Sequence, residues 1–165
     1  MIFETERLIV RKLILDDVIS FHEMQSNPNV MRFAEGEVKT FDEHSQELSD
    51  LIKKYALENN DFWIYAIEKK SDSKFIGTLA LVKDVIDDEI GYRFLEKYWN
   101  HGYAFEICEA TVVYCKKIGI KKLVGYVADE NVASVKILER LNFKVVKKMI
   151  NQDIQLLETK YQLEL

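Results

Sequence analysis

Residues 99–104, Trp-Asn-His-Gly-Tyr-Ala, lead from a β-like segment straight into a helix-forming one. A strand, a short glycine-bearing turn and a helix start form an arrangement that holds phosphates, because the first N–H groups of a helix have no partner of their own and its dipole favours an anion. Gly102 allows close approach and small Ala104 keeps the first turn open. The segment lacks the GK[ST] ending of a Walker loop and the three spaced glycines of a dinucleotide fingerprint. By elimination it suits a diphosphate gripped by backbone groups, with His101 or Lys97 adding positive charge. One glycine ahead of a helix also marks an ordinary turn, so this feature alone is weak. Other reactive residue types offer less. His22 and His44 fall in helical stretches without metal-ligand spacing, and no metal site is expected. Cys108 and Cys115 would stand about 10 Å apart along a helix, beyond disulfide reach. They read as helix-packing residues of a reducing compartment.

The elements that must position this turn follow from periodicity. Thr5 to Lys12 alternates apolar and polar residues and reads as a strand. Asp16 opens a helix through Val18, Phe21, His22 and Gln25, ended by Asn27-Pro28. Thr40 and Glu43 form a capping box ahead of a stripe of Leu48, Leu51, Ile52 and Tyr55. Residues 62–68, 75–82 and 89–95 read as strands, the last after an acidic turn at Asp84 to Asp88. The helix after Ala104 carries Ile107, Ala110 or Thr111, Tyr114 and Ile118 on one face and stops at Gly119. Residues 121–128 form a strand, 131–141 a helix, and 143–146 and 155–165 closing strands. The order βααβββαβαββ predicts an α/β (α+β) fold, a mixed sheet of about seven strands flanked by about four helices. With one proline and six glycines in 165 residues there is little room for linkers, so residues 1–165 read as a single domain.

A net charge of −5 disfavours nonspecific nucleic-acid binding, which neutralises phosphates with Lys and Arg. No apolar run approaches membrane-spanning length, and the amino-terminal segment has no apolar stretch of signal-peptide type. A cytoplasmic protein is expected.

At this point the sequence resembles a family. Glu89 to Ala104 (EIGYRFLEKYWNHGYA), Asn131-Val132-Ala133-Ser134 and Leu138 to Phe143 (LERLNF) are similar to motifs of the GNAT N-acetyltransferases. Thr5-Glu6-Arg7-Leu8 and Asn27 to Met31 resemble the ribosomal-protein N-acetyltransferase branch. The likeness spans nearly the whole chain. It implies a sheet whose 89–95 and 121–128 strands splay apart, so that the pantetheine arm of acetyl-CoA enters and pairs with the first strand as an added peptide strand would. Phe94 and Leu95 match the pairing positions. Asn100, His101, Gly102, Tyr103 and Ala104 match the pyrophosphate loop, Asn131 a pantetheine-binding asparagine, and Ser134 lies one helical turn beyond it.

The same resemblance implies an enzyme that acetylates a primary amine, either a protein N-terminus or a small molecule such as a polyamine. Glu89 matches the proposed general base and Ser134 the serine suggested as acid. Read without the resemblance, Glu89 is a surface carboxylate and Ser134 a poor acid. The oxyanion would be met by a backbone N–H near Phe94. Three departures stand out: Trp99 replaces the loop's first Gln or Arg, Asn142 replaces a glycine, and Leu138 stands where many relatives carry an acidic tyrosine. The last keeps open a second reading, a coenzyme-A-binding sensor without catalysis; a nucleotide-binding protein is a third. Trp63, Tyr65 and Tyr92 read as sheet packing. An uncovered closing strand near Tyr161 would allow a homodimer.

Overall fold

Leu8 and Val10 are buried while Ile9 and Arg11 are partly exposed, the two-residue period of a strand with one face on a core. In the computed structural model, which describes residues 1–34 and 36–165, these residues form β2 (Leu8–Lys12), preceded by β1 (Phe3–Glu4). The remaining strands are β3 (Phe62–Lys69), β4 (Lys74–Asp84), β5 (Asp87–Phe94), β6 (Lys122–Ala128), β7 (Lys144–Asn151) and β8 (Leu156–Glu164). They build one sheet in the order β1-β2-β3-β4-β5-β6-β8-β7. Every neighbouring pair is antiparallel except β5 and β6.

Four α-helices cover the sheet: α1 (Val18–Ser26), α2 (Phe41–Lys54), α3 (Tyr103–Lys117) and α4 (Val132–Arg140). On one face Phe21, Met24, Leu48 and Leu51 of α1 and α2 pack on Leu13, Ala66, Phe75 and Leu95. On the other, Ile107, Cys108, Cys115 and Leu138 of α3 and α4 pack on Ile90, Phe94, Leu123 and Phe143. Each large buried side chain contributes on the order of 1.5–3 kcal/mol, so the helices are fixed mainly by these two faces. Local signals set their ends. The Thr40 hydroxyl accepts from Glu43 N at 3.3 Å and Glu43 Oε2 accepts from Thr40 N at 2.7 Å, the reciprocal box expected for α2. Gly119 ends α3 at φ +89° and Asn142 follows α4 at φ +64°, the asparagine taking the left-handed position that glycine usually fills.

Among the described residues there are eight strands where about seven were expected, because the two-residue β1 is too short to show a period. Two expected boundaries also move. Asp87 and Asp88 belong to β5, leaving Val85 and Ile86 as the turn, and β7 runs on to Asn151. Thr111, with its hydroxyl on Ile107 O at 2.7 Å, is the buried member of the Ala110/Thr111 choice in α3.

Candidate active site

The sheet forks at Glu89. Strands β5 and β6 pair in parallel at only two positions, Asp88 with Leu123 and Glu89 with Val124. Past them β5 stays on β4 as far as Phe94, and β6 stays on β8 as far as Ala128. Gly125 is the first β6 residue beyond the fork. A Cβ there would lie 3.4 Å from Leu138 Cδ1 and 3.8 Å from Ile90 O. Leu95 N donates to Ile76 O of β4 at 3.0 Å, so strand alternation turns the N–H and C=O of Phe94 away from β4 and toward the opening. The Phe94 carbonyl accepts from the Trp99 indole N–H at 3.0 Å. Trp99 therefore replaces the usual polar residue with a strut that fixes the strand end to the turn after it. A cavity of about 690 Å³ occupies the fork and continues toward α1 and α2.

The phosphate-type turn stands at the open end. Gly102 is the N-cap of α3 at φ +79° and makes no side-chain cap, so first-turn N–H groups of Tyr103 and its neighbours are presented outward. Asn100 is also left-handed, at φ +62°. His101 Nδ1 lies 2.7 Å from Trp99 O and its ring stacks on Tyr103. Lys97 turns elsewhere, onto Glu23 of α1 at 3.0 Å. Its place beside the turn is taken by a residue that sequence reasoning quoted but did not use, Arg7. The Arg7 guanidinium donates to His101 O at 2.9 Å and to Glu106 Oε2 at 2.6 Å, and lies over the Tyr103 ring. Burial alone would raise the Glu106 carboxyl, but hydrogen bonds from Thr5 and from the Arg7 backbone and guanidinium hold it below the usual carboxylate range. Thr5-Glu6-Arg7-Leu8 thus clamps the start of α3, across a separation that no local pattern announces.

Within the fork, α4 faces β5. Asn131 Oδ1 accepts from Ser134 N at 3.3 Å and caps α4. The Ser134 hydroxyl lies 2.9 Å from the Tyr92 hydroxyl, and both residues line the cavity with Asn131, Cys108 and Leu138. Tyr92, read from the sequence as sheet packing in preference to a site wall, packs on the core and also lines the cavity. Burial pushes its phenol well above the ordinary value, while the bond to Ser134 opposes the shift. Leu138 is buried and apolar. Cys108 is buried, and burial pushes its thiol up as well, so it has no thiolate character.

Strand alternation sends Glu89, Gly91 and Arg93 to the opposite face, under α1 and α2. Arg93 Nη1 donates to Gln25 Oε1 at 2.8 Å, and Glu89 lines the cavity there with Phe33, Phe62 and Ile64. The acidic turn beside it is engaged in ion pairs: Asp84 with Lys160 at 2.7 Å, Asp87 with Lys122 at 2.6 Å and Asp88 with Lys83 at 2.8 Å. Trp63, Tyr65 and Tyr55 stack in a ladder with ring centroids 6.0–6.2 Å apart and serve as packing. Arg140 lies over Phe105. Among the described residues no group of three or more His, Cys, Asp or Glu gathers as metal ligands would, and no helix is long and apolar enough to cross a membrane.

A forked sheet with a bare helix start at its mouth has relatives. The family model of the acetyltransferase (GNAT) domain matches residues 7–144. The chain belongs to the GNAT acetyltransferases. An uncharacterized N-acetyltransferase of Bacillus subtilis, YoaA, is 26% identical to this acetyltransferase over 148 residues, covering 87% of this chain and 82% of the relative. Among solved structures, a GNAT-family acetyltransferase from Bacillus anthracis has the same fold, with a TM-score of 0.84 at 21% identity, covering 98% of this chain and 96% of that one. So does RimL, a ribosomal L7/L12 alpha-N-protein acetyltransferase solved with coenzyme A, with a TM-score of 0.83 at 17% identity and coverage of 99% and 97%.

As a GNAT enzyme the chain is an acetyl-CoA-dependent N-acetyltransferase. Its own geometry fits the cosubstrate. The fork leaves β5 peptide groups free of β6, Gly125 keeps side-chain bulk out of the opening, and Gly102 presents a bare helix start.

Proposed function

We propose that this acetyltransferase acetylates a primary amine by direct attack in a ternary complex, with Glu89 as general base and Ser134 serving the leaving sulfur. The parting of β5 and β6 after Glu89 carries this reading. It gives the reaction two sides, the face under α1 and α2 with Glu89 and the face under α4 with Ser134. Acetyl-CoA supplies the thioester. The Phe94 peptide, turned toward the opening, pairs with the pantetheine arm, whereas both Leu95 backbone groups are already engaged, with Ile76 and Tyr98. Asn131 hydrogen-bonds near the arm, and residues Asn100 to Ala104 hold the diphosphate.

An alkylammonium is mostly protonated at pH 7, so the acceptor nitrogen must lose a proton before or during attack. Glu89 takes that proton through a water. A backbone N–H near Phe94 stabilises the charge that grows on the carbonyl oxygen. Ser134 supplies the hydrogen bond, and the proton, that the departing thiolate requires. The acceptor is a protein N-terminal amine or a small amine such as a polyamine. The segment between α1 and α2 contributes Val30, Met31 and Phe33 to its side of the cavity.

Thiol release from acetyl-CoA across a panel of amines, with mass detection of the acetylated product, tests the reading. Glu89→Gln and Ser134→Ala are each expected to lower kcat by roughly 10²–10⁴, the usual range for general acid–base groups. The second reading, a coenzyme-A sensor, draws on buried Leu138 in place of the tyrosine acid. It predicts cofactor binding with no turnover on any amine of the panel.

A further inference from the structure

We propose that Tyr92 is the positioning residue for Ser134: its hydroxyl donates to Ser134 Oγ, so the single serine proton is directed into the fork. The inference rests on the acetyl-transfer reading above and adds to it a residue that Ser134 depends on.

Geometry comes first. Tyr92 belongs to β5, the strand left open past the fork, and its side chain crosses beneath α4 to bring its hydroxyl within 2.9 Å of Ser134 Oγ. Both residues line the cavity. Ser134 occupies the first turn of α4, where its N–H is held by Asn131 Oδ1. A serine hydroxyl has one proton and two lone pairs. If it gave that proton to Tyr92, it would have none for a second acceptor. If it accepts from Tyr92, its own proton is free and aimed elsewhere.

The surroundings allow this direction, since either hydroxyl can be the donor across this 2.9 Å contact. Burial favours the neutral phenol strongly, so Tyr92 retains its proton throughout the neutral range and can act as the donor. Leu138, one turn further along α4, is buried and apolar and offers no hydroxyl to replace it. Cys108, which packs beside Tyr92, is a weak donor with its own thiol held neutral by burial. A lone serine hydroxyl rotates freely and is a poor acid; one fixed by a phenol donor loses that rotational freedom and gains a partner for the negative charge that grows on Oγ. As the C–S bond breaks, the electron pair goes to sulfur and the Ser134 O–H donates toward it. Tyr92 keeps its proton. The Ser134 proton passes to the sulfur, solvent returns one to Ser134 Oγ, and the proton that Glu89 took from the amine goes to solvent, so the exchange balances.

The test uses the full chain and two readouts. In steady-state kinetics Tyr92→Phe, which removes one oxygen and keeps the ring, is expected to lower kcat about tenfold or more with KM for acetyl-CoA within about twofold. In the Ser134→Ala background the same change is expected to add nothing, because the hydroxyl it orients is gone. Losses that multiply independently in the double variant overturn the proposal, as does an unchanged kcat. The second readout needs no turnover. The calorimetric preference for coenzyme A over desulfo-coenzyme A, which lacks the sulfur, is expected to fall in Tyr92→Phe as far as in Ser134→Ala. A retained preference makes Tyr92 a packing residue. Tyr92→Met repeats both measurements should the phenylalanine variant fail to fold. Absence of turnover by the wild-type chain on every amine would defeat the enzymatic reading, while the affinity ratio would still judge Tyr92.

Discussion

Gly77 on β4 stands opposite Phe94 of β5, and the replacement Gly77→Ala gives a sharp test of how that strand is seated. A Cβ at this position would meet Arg93 O at 2.2 Å and Phe94 Cα and Cδ1 at 3.1 Å each. The first contact is with backbone, which cannot swing aside as a side-chain tip can, and carbon contacts are comfortable only from roughly 3.5 Å. The end of β5 must therefore retreat from β4 by about 1 Å, opening the hydrogen bond from Leu95 N to Ile76 O. Overpacking costs about 1–3 kcal/mol and a lost ladder bond about 1 kcal/mol more, so the total is roughly 2–4 kcal/mol. For a chain of this length that corresponds to a fall in Tm of roughly 5–15 °C. Gly125→Ala is the internal control. Its nearest neighbour would be the flexible tip of Leu138 at 3.4 Å, an ordinary contact, so stability should change by less than about 1 kcal/mol. Its methyl group projects into the fork, however, and coenzyme A affinity should drop. Thermal and urea unfolding by circular dichroism measure the first effect and calorimetry the second. If Gly77→Ala proves no more damaging than Gly125→Ala, the argument from backbone proximity is wrong.

Further outcomes are expected elsewhere. Arg7→Met leaves the Glu106 carboxylate without its guanidinium beside the turn before α3; coenzyme A should bind about tenfold more weakly, a loss of roughly 1.4 kcal/mol. Adding Glu106→Gln should restore part of it, and calorimetry on both variants checks the pair. His44 is buried with its Nδ1 2.8 Å from His22 Nδ1, near Glu43, Glu47 and Lys39. Burial lowers its pKa below the ordinary histidine value. Its contribution to stability is therefore complete above about pH 6.5 and is lost as pH falls through the folded-state value. His44→Gln should flatten urea-unfolding stability between pH 7 and pH 5 relative to wild type, and parallel slopes would refute this. Cys108 and Cys115 are both buried, the latter with its thiol pushed up to about 12. Iodoacetamide should label neither in the native chain and both in urea, as read by mass spectrometry.

Much of this architecture is written locally. The Thr40/Glu43 box, the strands around residues 62–84 and the Asn142 cap all depend on residues within a few positions of one another, and each was legible before the structure. The glycine turn into α3 was too, because Gly102 and the helix after it are adjacent. The misses share a cause. Ile90, Tyr92 and Phe94 are all apolar or aromatic, so the pattern showed that this face is buried but not that one hydroxyl on it meets Ser134, 42 residues away. Arg7 and Glu106 are separated by 99 residues, and only the folded sheet brings them together. The far half of β7 escaped because both of its faces are largely exposed, with Lys147 and Lys148 side by side, which erases the alternation that a one-sided strand would show.

The fork after Glu89 has a consequence beyond chemistry. A sheet that opens at its centre leaves peptide groups and cavity walls to be matched by the donor molecule, which the unfolded chain cannot bind. Occupancy must then reinforce the fold itself: at a free donor concentration one hundred times its dissociation constant, resistance to unfolding rises by about 2.7 kcal/mol. Any ligand that fills the fork therefore raises resistance to proteolysis together with resistance to unfolding.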